Sequence, residues 1–129
     1  MRPMIIVALA MLGLTMVGGS AVAQTPPTPA AVHVMNGMLM DAKGMSLYTF
    51  DNDKEANKSA CTGNCLNNWP ALKAEASDKD MGDWKVITRD DGAKQWSYKG
   101  KPLYYFAMDK APGDKVGDGR GMVWHLAKP

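Results

Sequence analysis

The chain has 129 residues, with 15 Lys plus Arg against 13 Asp plus Glu. So small a net charge excludes recruitment to nucleic acid or an anionic membrane surface by long-range attraction. The length suits one small domain.

Residues 1–23 carry the parts of a secretory signal in order. Arg2 gives the positive start, Met4 to Val17 is an apolar stretch, and Ala21-Val22-Ala23 is an A-x-A cleavage pattern. That stretch is shorter than the roughly 18–20 residues a membrane span needs, so cleavage is expected rather than anchoring. Removal of the signal leaves 106 residues with a net charge near +1 and no later apolar run of spanning length. The mature protein is expected to be periplasmic or secreted, with no membrane insertion after signal removal and no nucleic acid partner. Residues 24–31, QTPPTPAA, hold three prolines and read as a semi-rigid leader outside the core. The domain then spans 32–129.

From Val32 onward period-2 patterning dominates, and no window of a dozen residues shows a helical stripe. Strands are predicted at Val32–Met35, Met38–Met40, Ser46–Phe50, Trp84–Thr88, Gln95–Tyr98, Leu103–Phe106 and Met122–Leu126. Asn36-Gly37 and Lys99-Gly100 mark tight hairpin turns, because a two-residue turn of this kind needs positive φ. Ala60–Asn68 is the one predicted short helix, and Pro70 bars its continuation.

The chain also repeats itself. Lys43-Gly44-Met45-Ser46-Leu47-Tyr48-Thr49-Phe50 aligns with Lys99-Gly100-Lys101-Pro102-Leu103-Tyr104-Tyr105-Phe106, and the same offset brings Asp53-Lys54 against Asp109-Lys110. Two copies are too few for a solenoid. The expected fold is therefore mainly β: a small single domain of two duplicated β-hairpin units, with one short helix around the cysteine pair. Tyr48-x-Phe50-x-x-Asp53 and Tyr104-x-Phe106-x-x-Asp109 resemble the paired Y-x-(F/W/Y)-x-x-D motif of the bacterial "secreted repeat of unknown function" proteins. Cys61-x-Gly63-x-Cys65, Trp69-Pro70, Arg89-x-Asp91-Gly92, Gln95-Trp96-x-Tyr98 and Trp124-His125 match in order. Many relatives are lipoproteins, whereas this chain lacks a lipidated Cys. The resemblance implies fold and location and leaves the biochemistry open.

Four groups of residues carry possible chemistry. Cys61 and Cys65, the only cysteines, are expected to form a disulfide in an oxidising compartment. A thiol-disulfide exchanger is the weaker alternative, since such enzymes use two intervening residues and a thioredoxin-type setting. Tyr48, Phe50, Asp53, Tyr104, Phe106 and Asp109 form the repeat motif, whose two acids are expected to accept backbone N–H bonds just past each repeated strand. The loop acids Asp51, Asp114 and Asp118 reproduce no calcium-loop order, and Gly113–Gly121 lacks the features of a phosphate cradle. Fourth, a two-residue turn at Asn36-Gly37 places His33, Met35, Met38 and Met40 on one face. Three thioethers and an imidazole suit copper(I), while methionine as a core gap-filler is the simpler account.

No set of nucleophile, base and orienting group is visible. The expectation is an exported non-enzymatic binding or interaction module, its partner an unknown protein or small ligand. A periplasmic copper(I)-binding protein is the first alternative, with copper as its possible cofactor. A thiol-disulfide redox protein is the second.

Overall fold

In the computed structural model, residues 28–129 are described. The signal segment, its cleavage point and the first part of the leader lie outside them. Seven strands form in the described residues: β1 (Val32–Met35), β2 (Met38–Asp41), β3 (Tyr48–Phe50), β4 (Trp84–Thr88), β5 (Lys94–Tyr98), β6 (Lys101–Pro102) and β7 (Trp124–Leu126). A single-turn helix, α1 (Cys65–Asn68), follows the first cysteine, and a 3₁₀ turn covers Arg120–Met122. The strands make three small antiparallel sheets: β1–β2, β3–β7 and β4–β5–β6.

The turns set the register. Asn36 and Gly37 have φ of 53° and 74°, so β1 and β2 close on a two-residue turn that pairs Met35 with Met38 and His33 with Met40. Lys99 and Gly100 do the same for β5 and β6, with φ of 50° and 85°. Along β4–β5, Trp84 faces Tyr98 and Val86 faces Trp96, which puts one aromatic-rich face on the core.

The duplication is visible in the hydrogen bonds, and it is crossed. Tyr48 and Tyr104 exchange backbone N–H···O bonds at 2.8 and 3.0 Å. Around this centre each bond of one copy has a counterpart in the other. Leu39 N–H bonds Ala127 O at 2.9 Å, and Trp96 N–H bonds Leu72 O at 2.9 Å. Ala127 N–H bonds Leu47 O at 2.8 Å, and Leu72 N–H bonds Leu103 O at 2.9 Å. The central segment of each copy thus pairs with the C-terminal segment of the other, and neither copy closes alone. The core cluster draws on both: Leu39 and Trp96, Leu47 and Leu103, Leu72 and Ala127.

Three expectations need correction. Leu103–Phe106 forms no continuous strand. Its N–H groups are divided among Trp96 O, Tyr48 O and Pro70 O, so only Tyr104 makes ladder bridges. The helix is confined to Cys65–Asn68, because Gly63 takes a φ of 59° and breaks any earlier turn. The end of the leader does touch the core: Pro29 is buried, its carbonyl accepts Val32 N–H at 3.0 Å, and Ala31 packs on the main cluster.

Candidate functional site

The repeat motif forms the centre of the molecule. Tyr48 Oη donates to Asp109 Oδ2 at 2.7 Å, and Tyr104 Oη donates to Asp53 Oδ2 at 2.7 Å. Each carboxylate spends its second oxygen on a backbone N–H seven residues further on: Ala60 to Asp53 at 2.6 Å, Val116 to Asp109 at 2.9 Å. The tyrosine of one copy therefore locks the loop that follows the aspartate of the other. Burial holds the Asp53 carboxyl above its ordinary range, against the Ala60 and Tyr104 hydrogen bonds that favour its charged form. Burial also raises both phenols, and the facing carboxylates add to the rise.

Beside these pairs lie four aromatic rings in one continuous stack. Phe106 stacks on Trp69 (4.2 Å between centroids), Trp69 on Trp124 (3.8 Å, 3° between planes), and Trp124 on Phe50 (4.1 Å). Tyr48 and Tyr104 meet the two tryptophans edge-on at 5.4 and 5.2 Å. Each such contact contributes about 0.5–1.5 kcal/mol beyond its area burial. A cavity of about 310 Å³ opens along the stack beside Met108, Arg120 and Val123.

Cys61 and Cys65 are joined in a disulfide, with Cα atoms 5.3 Å apart. Cys61 is fully buried, and the Arg89 guanidinium donates to its carbonyl oxygen. Arg89 also donates to Ser59 Oγ and Gln95 Oε1, both at 2.7 Å, and Ser59 Oγ lies 2.6 Å from Tyr104 Oη. A buried cation satisfied mostly by neutral acceptors ties the disulfide loop to the motif pair. In the second copy Gly117 and Gly121 stand at the positions of the two cysteines, by the same offset that aligns the tyrosines.

A larger cavity, about 450 Å³, lies on the other side of β3 and β7. Thr49, Asp51, His125 and Leu126 form one wall, Tyr98, Lys99 and Lys101 from the β5–β6 turn another, and Lys128 the rim. His125 Nε2 sits 2.8 Å from Asp51 Oδ2. Asp118, also lining the cavity, accepts Leu126 N–H at 3.1 Å. Each of these aspartates thus gives one oxygen to a partner on β7. Among the described residues no carboxylate pairs with Lys99, Lys101 or Lys128, although Lys99 Nζ rests 5.2 Å from the Tyr98 ring centre. The sequence reading missed this cleft, because it assembles from segments that are remote along the chain. Its one advance signal was the Trp124-His125 pair.

His33, Met35, Met38 and Met40 come together on one face of β1–β2, with Met38 and Met40 buried and His33 and Met35 exposed.

A family model described as "secreted repeat of unknown function" matches the chain twice, over residues 31–73 and 85–128. No curated protein and no solved structure matches. Each of the two matched stretches holds a Tyr-x-Phe segment; the first carries the β1–β2 hairpin and the disulfide, and the second carries β5 with the hairpin turn to β6.

Proposed function

Because the chain belongs to the family of secreted repeats of unknown function, matched over both repeats, we propose that it is an exported, non-enzymatic binding module whose ligand is a small organic anion. It works in the periplasm or outside the cell. The observation that carries this reading is the charge arrangement of the cleft between β3–β7 and the β5–β6 turn. Its two aspartates each give one oxygen to His125 or to a backbone N–H, while the ammonium groups of Lys99, Lys101 and Lys128 have no acidic partner among the described residues. A walled cleft of about 450 Å³ suits a small molecule. Unpaired cations on its rim favour a carboxylate- or phosphate-bearing one.

The absence of an assembled nucleophile supports a binding role. Among the described residues no hydroxyl or thiol hydrogen-bonds the His125 ring, whose one partner is Asp51. Full burial of Cys61 supports a structural disulfide rather than an exchanging one. Titration of the isotope-labelled secreted protein with citrate, followed by backbone NMR, tests the reading. Shifts should cluster at Lys99, Lys101, His125 and Lys128, weaken as salt rises, and vanish in the Lys99→Glu/Lys101→Glu variant. An undisturbed cleft would remove the proposed site, and chemical turnover of the anion would remove the non-enzymatic part.

A further inference from the structure

We propose that the β1–β2 hairpin is a copper(I) site built from Met35, Met38, Met40 and His33, on a part of the surface separate from the anion cleft. The register fixes the grouping. Met35 faces Met38, His33 faces Met40, and alternation puts all four side chains on the face opposite Val32 and Leu39, which belong to the core cluster. Directly opposed residues have Cβ atoms about 4.5–5.5 Å apart, within reach of long side chains converging on one ion.

The second copy carries different chemistry on the same face. The bonds of Leu39 to Ala127 and of Trp96 to Leu72 correspond, so Met38 and Met40 occupy the positions of Gln95 and Ser97, and His33 that of Lys85. In the second copy the two buried positions are polar and satisfied. Gln95 accepts from Arg89 and donates to Leu103 O at 2.7 Å, and Ser97 Oγ bonds Asn57 Oδ1 at 3.0 Å. In the first copy both are thioethers, buried at 8% and 6% exposure. Beside them stands an imidazole with no hydrogen-bond partner among the described residues, and a third thioether, Met35, is 52% exposed. The two copies share the backbone pattern, and where the second holds a hydrogen-bonded polar pair the first holds soft donors next to exposed Met35 and His33.

The donor chemistry selects the ion. Three thioethers and one imidazole favour copper(I) over calcium, magnesium or manganese, which take oxygen ligands. The two thiols that would compete are joined in the Cys61–Cys65 disulfide. Thioethers are then the soft ligands left to a protein in an oxidising compartment.

The experiment is a competition for copper(I) between the secreted protein and the chromophoric chelator bathocuproine disulfonate, under reductant too weak to open the disulfide. One equivalent should leave the chelator, and the ε-methyl NMR signals of Met35, Met38 and Met40 should shift while those of Met108 and Met122 stay in place. Changing Met35, Met38 and Met40 together to Leu should lower affinity on the order of 100-fold, since thioether donation is what selects the ion. Met108→Leu/Met122→Leu, which alters exposed methionines elsewhere, should leave affinity unchanged. If the triple variant fails to fold, His33→Gln and Met35→Leu, both at exposed positions, carry the test and should each lose about tenfold, the scale of one ligand. No withdrawal of copper by the wild type, or equal affinity in the hairpin variants, overturns the site. Neither result bears on the anion cleft.

Discussion

Tyr48 and Asp109 lie 61 residues apart and in different repeats, yet the phenol donates to the carboxylate at 2.7 Å in the buried centre of the domain. Tyr104 and Asp53 make the reciprocal bond at 2.7 Å. In each motif the tyrosine and the aspartate are only five residues apart, so local pairing is the natural reading, and the fold rejects it. Exchange makes the duplicated chain one cooperative unit. Opening either repeat would strip a partner from a buried hydroxyl in the other.

A double-mutant cycle separates crossed from local pairing. Asp109→Ala leaves the Tyr48 hydroxyl and the Val116 N–H without their acceptor, and should cost about 2–3 kcal/mol. Tyr48→Phe should cost about 1–2 kcal/mol, having removed one partner of a charged acceptor. Chemical denaturation of the four-member set should give a Tyr48–Asp109 coupling above about 1 kcal/mol, and a Tyr48–Asp53 coupling within about 0.5 kcal/mol. The reverse pattern would mean that each motif serves its own repeat.

Gly117 is held against the aromatic stack by contact rather than by backbone conformation. A Cβ there would lie 2.8 Å from Trp69 and 3.0 Å from the Phe106 ring. Trp69, sandwiched between Phe106 and Trp124, has little room to retreat. Gly117→Ala should cost about 2–3 kcal/mol as overpacking. The nearby Gly119→Ala, with φ of 82° and nothing within 4 Å, should cost only about 1–2 kcal/mol of backbone strain. Thermal melts of the two variants rank them. A smaller loss for Gly117→Ala than for Gly119→Ala would show that the stack yields.

What the sequence discloses follows from the range of the interaction that decides it. Asn36-Gly37 and Lys99-Gly100 fix their hairpins because positive φ at adjacent residues is a local requirement, and both turns form as read. Cys61 and Cys65, four residues apart, need no distant information to meet. The motif comparison exposes the duplication but not its exchange, because identical motifs contain nothing that says whose aspartate each tyrosine finds. Leu103–Phe106 alternates like a strand, yet its partners Trp96, Tyr48 and Pro70 come from three segments, which divides one expected ladder into single bonds. The cleft was hidden for the same reason. Lys99, Lys101 and Lys128 are unremarkable surface lysines until β7 brings His125 beside Asp51.

The disulfide should be useful but dispensable. Closing a loop this short restricts the unfolded chain by about 2 kcal/mol. The second copy builds the equivalent loop around Gly117 and Gly121 with no bridge at all. Replacing both cysteines by Ser should therefore lower stability by about 2 kcal/mol and leave the near-ultraviolet signal of the tryptophan stack intact. Loss of that signal under native conditions would show that the bridge organises the centre and does not merely restrain one loop.

Alkaline pH should unfold the protein through its phenols. Burial first, and then the carboxylate each faces, raises Tyr48, Tyr104 and Tyr105 well above their ordinary value of 10.0; the partners are Asp109, Asp53 and Asp41. A raised folded-state value means that the folded protein retains these protons while the unfolded chain releases them from about pH 10 upward. Their contribution is thus complete below pH 10 and declines as pH climbs. Three protons give a slope of up to about 4 kcal/mol per pH unit, set against a total stability on the order of 5–15 kcal/mol. A stability in the lower half of that range should therefore be exhausted about one to three pH units above 10, with phenolate absorbance rising in step with loss of far-ultraviolet structure. Tyr48→Phe and Tyr104→Phe, whatever they cost at neutral pH, should each reduce the steepness of the alkaline limb by about a third, one proton in three. Ionisation of these tyrosines while the circular dichroism remains native would mean that their hydroxyls reach water without opening the domain.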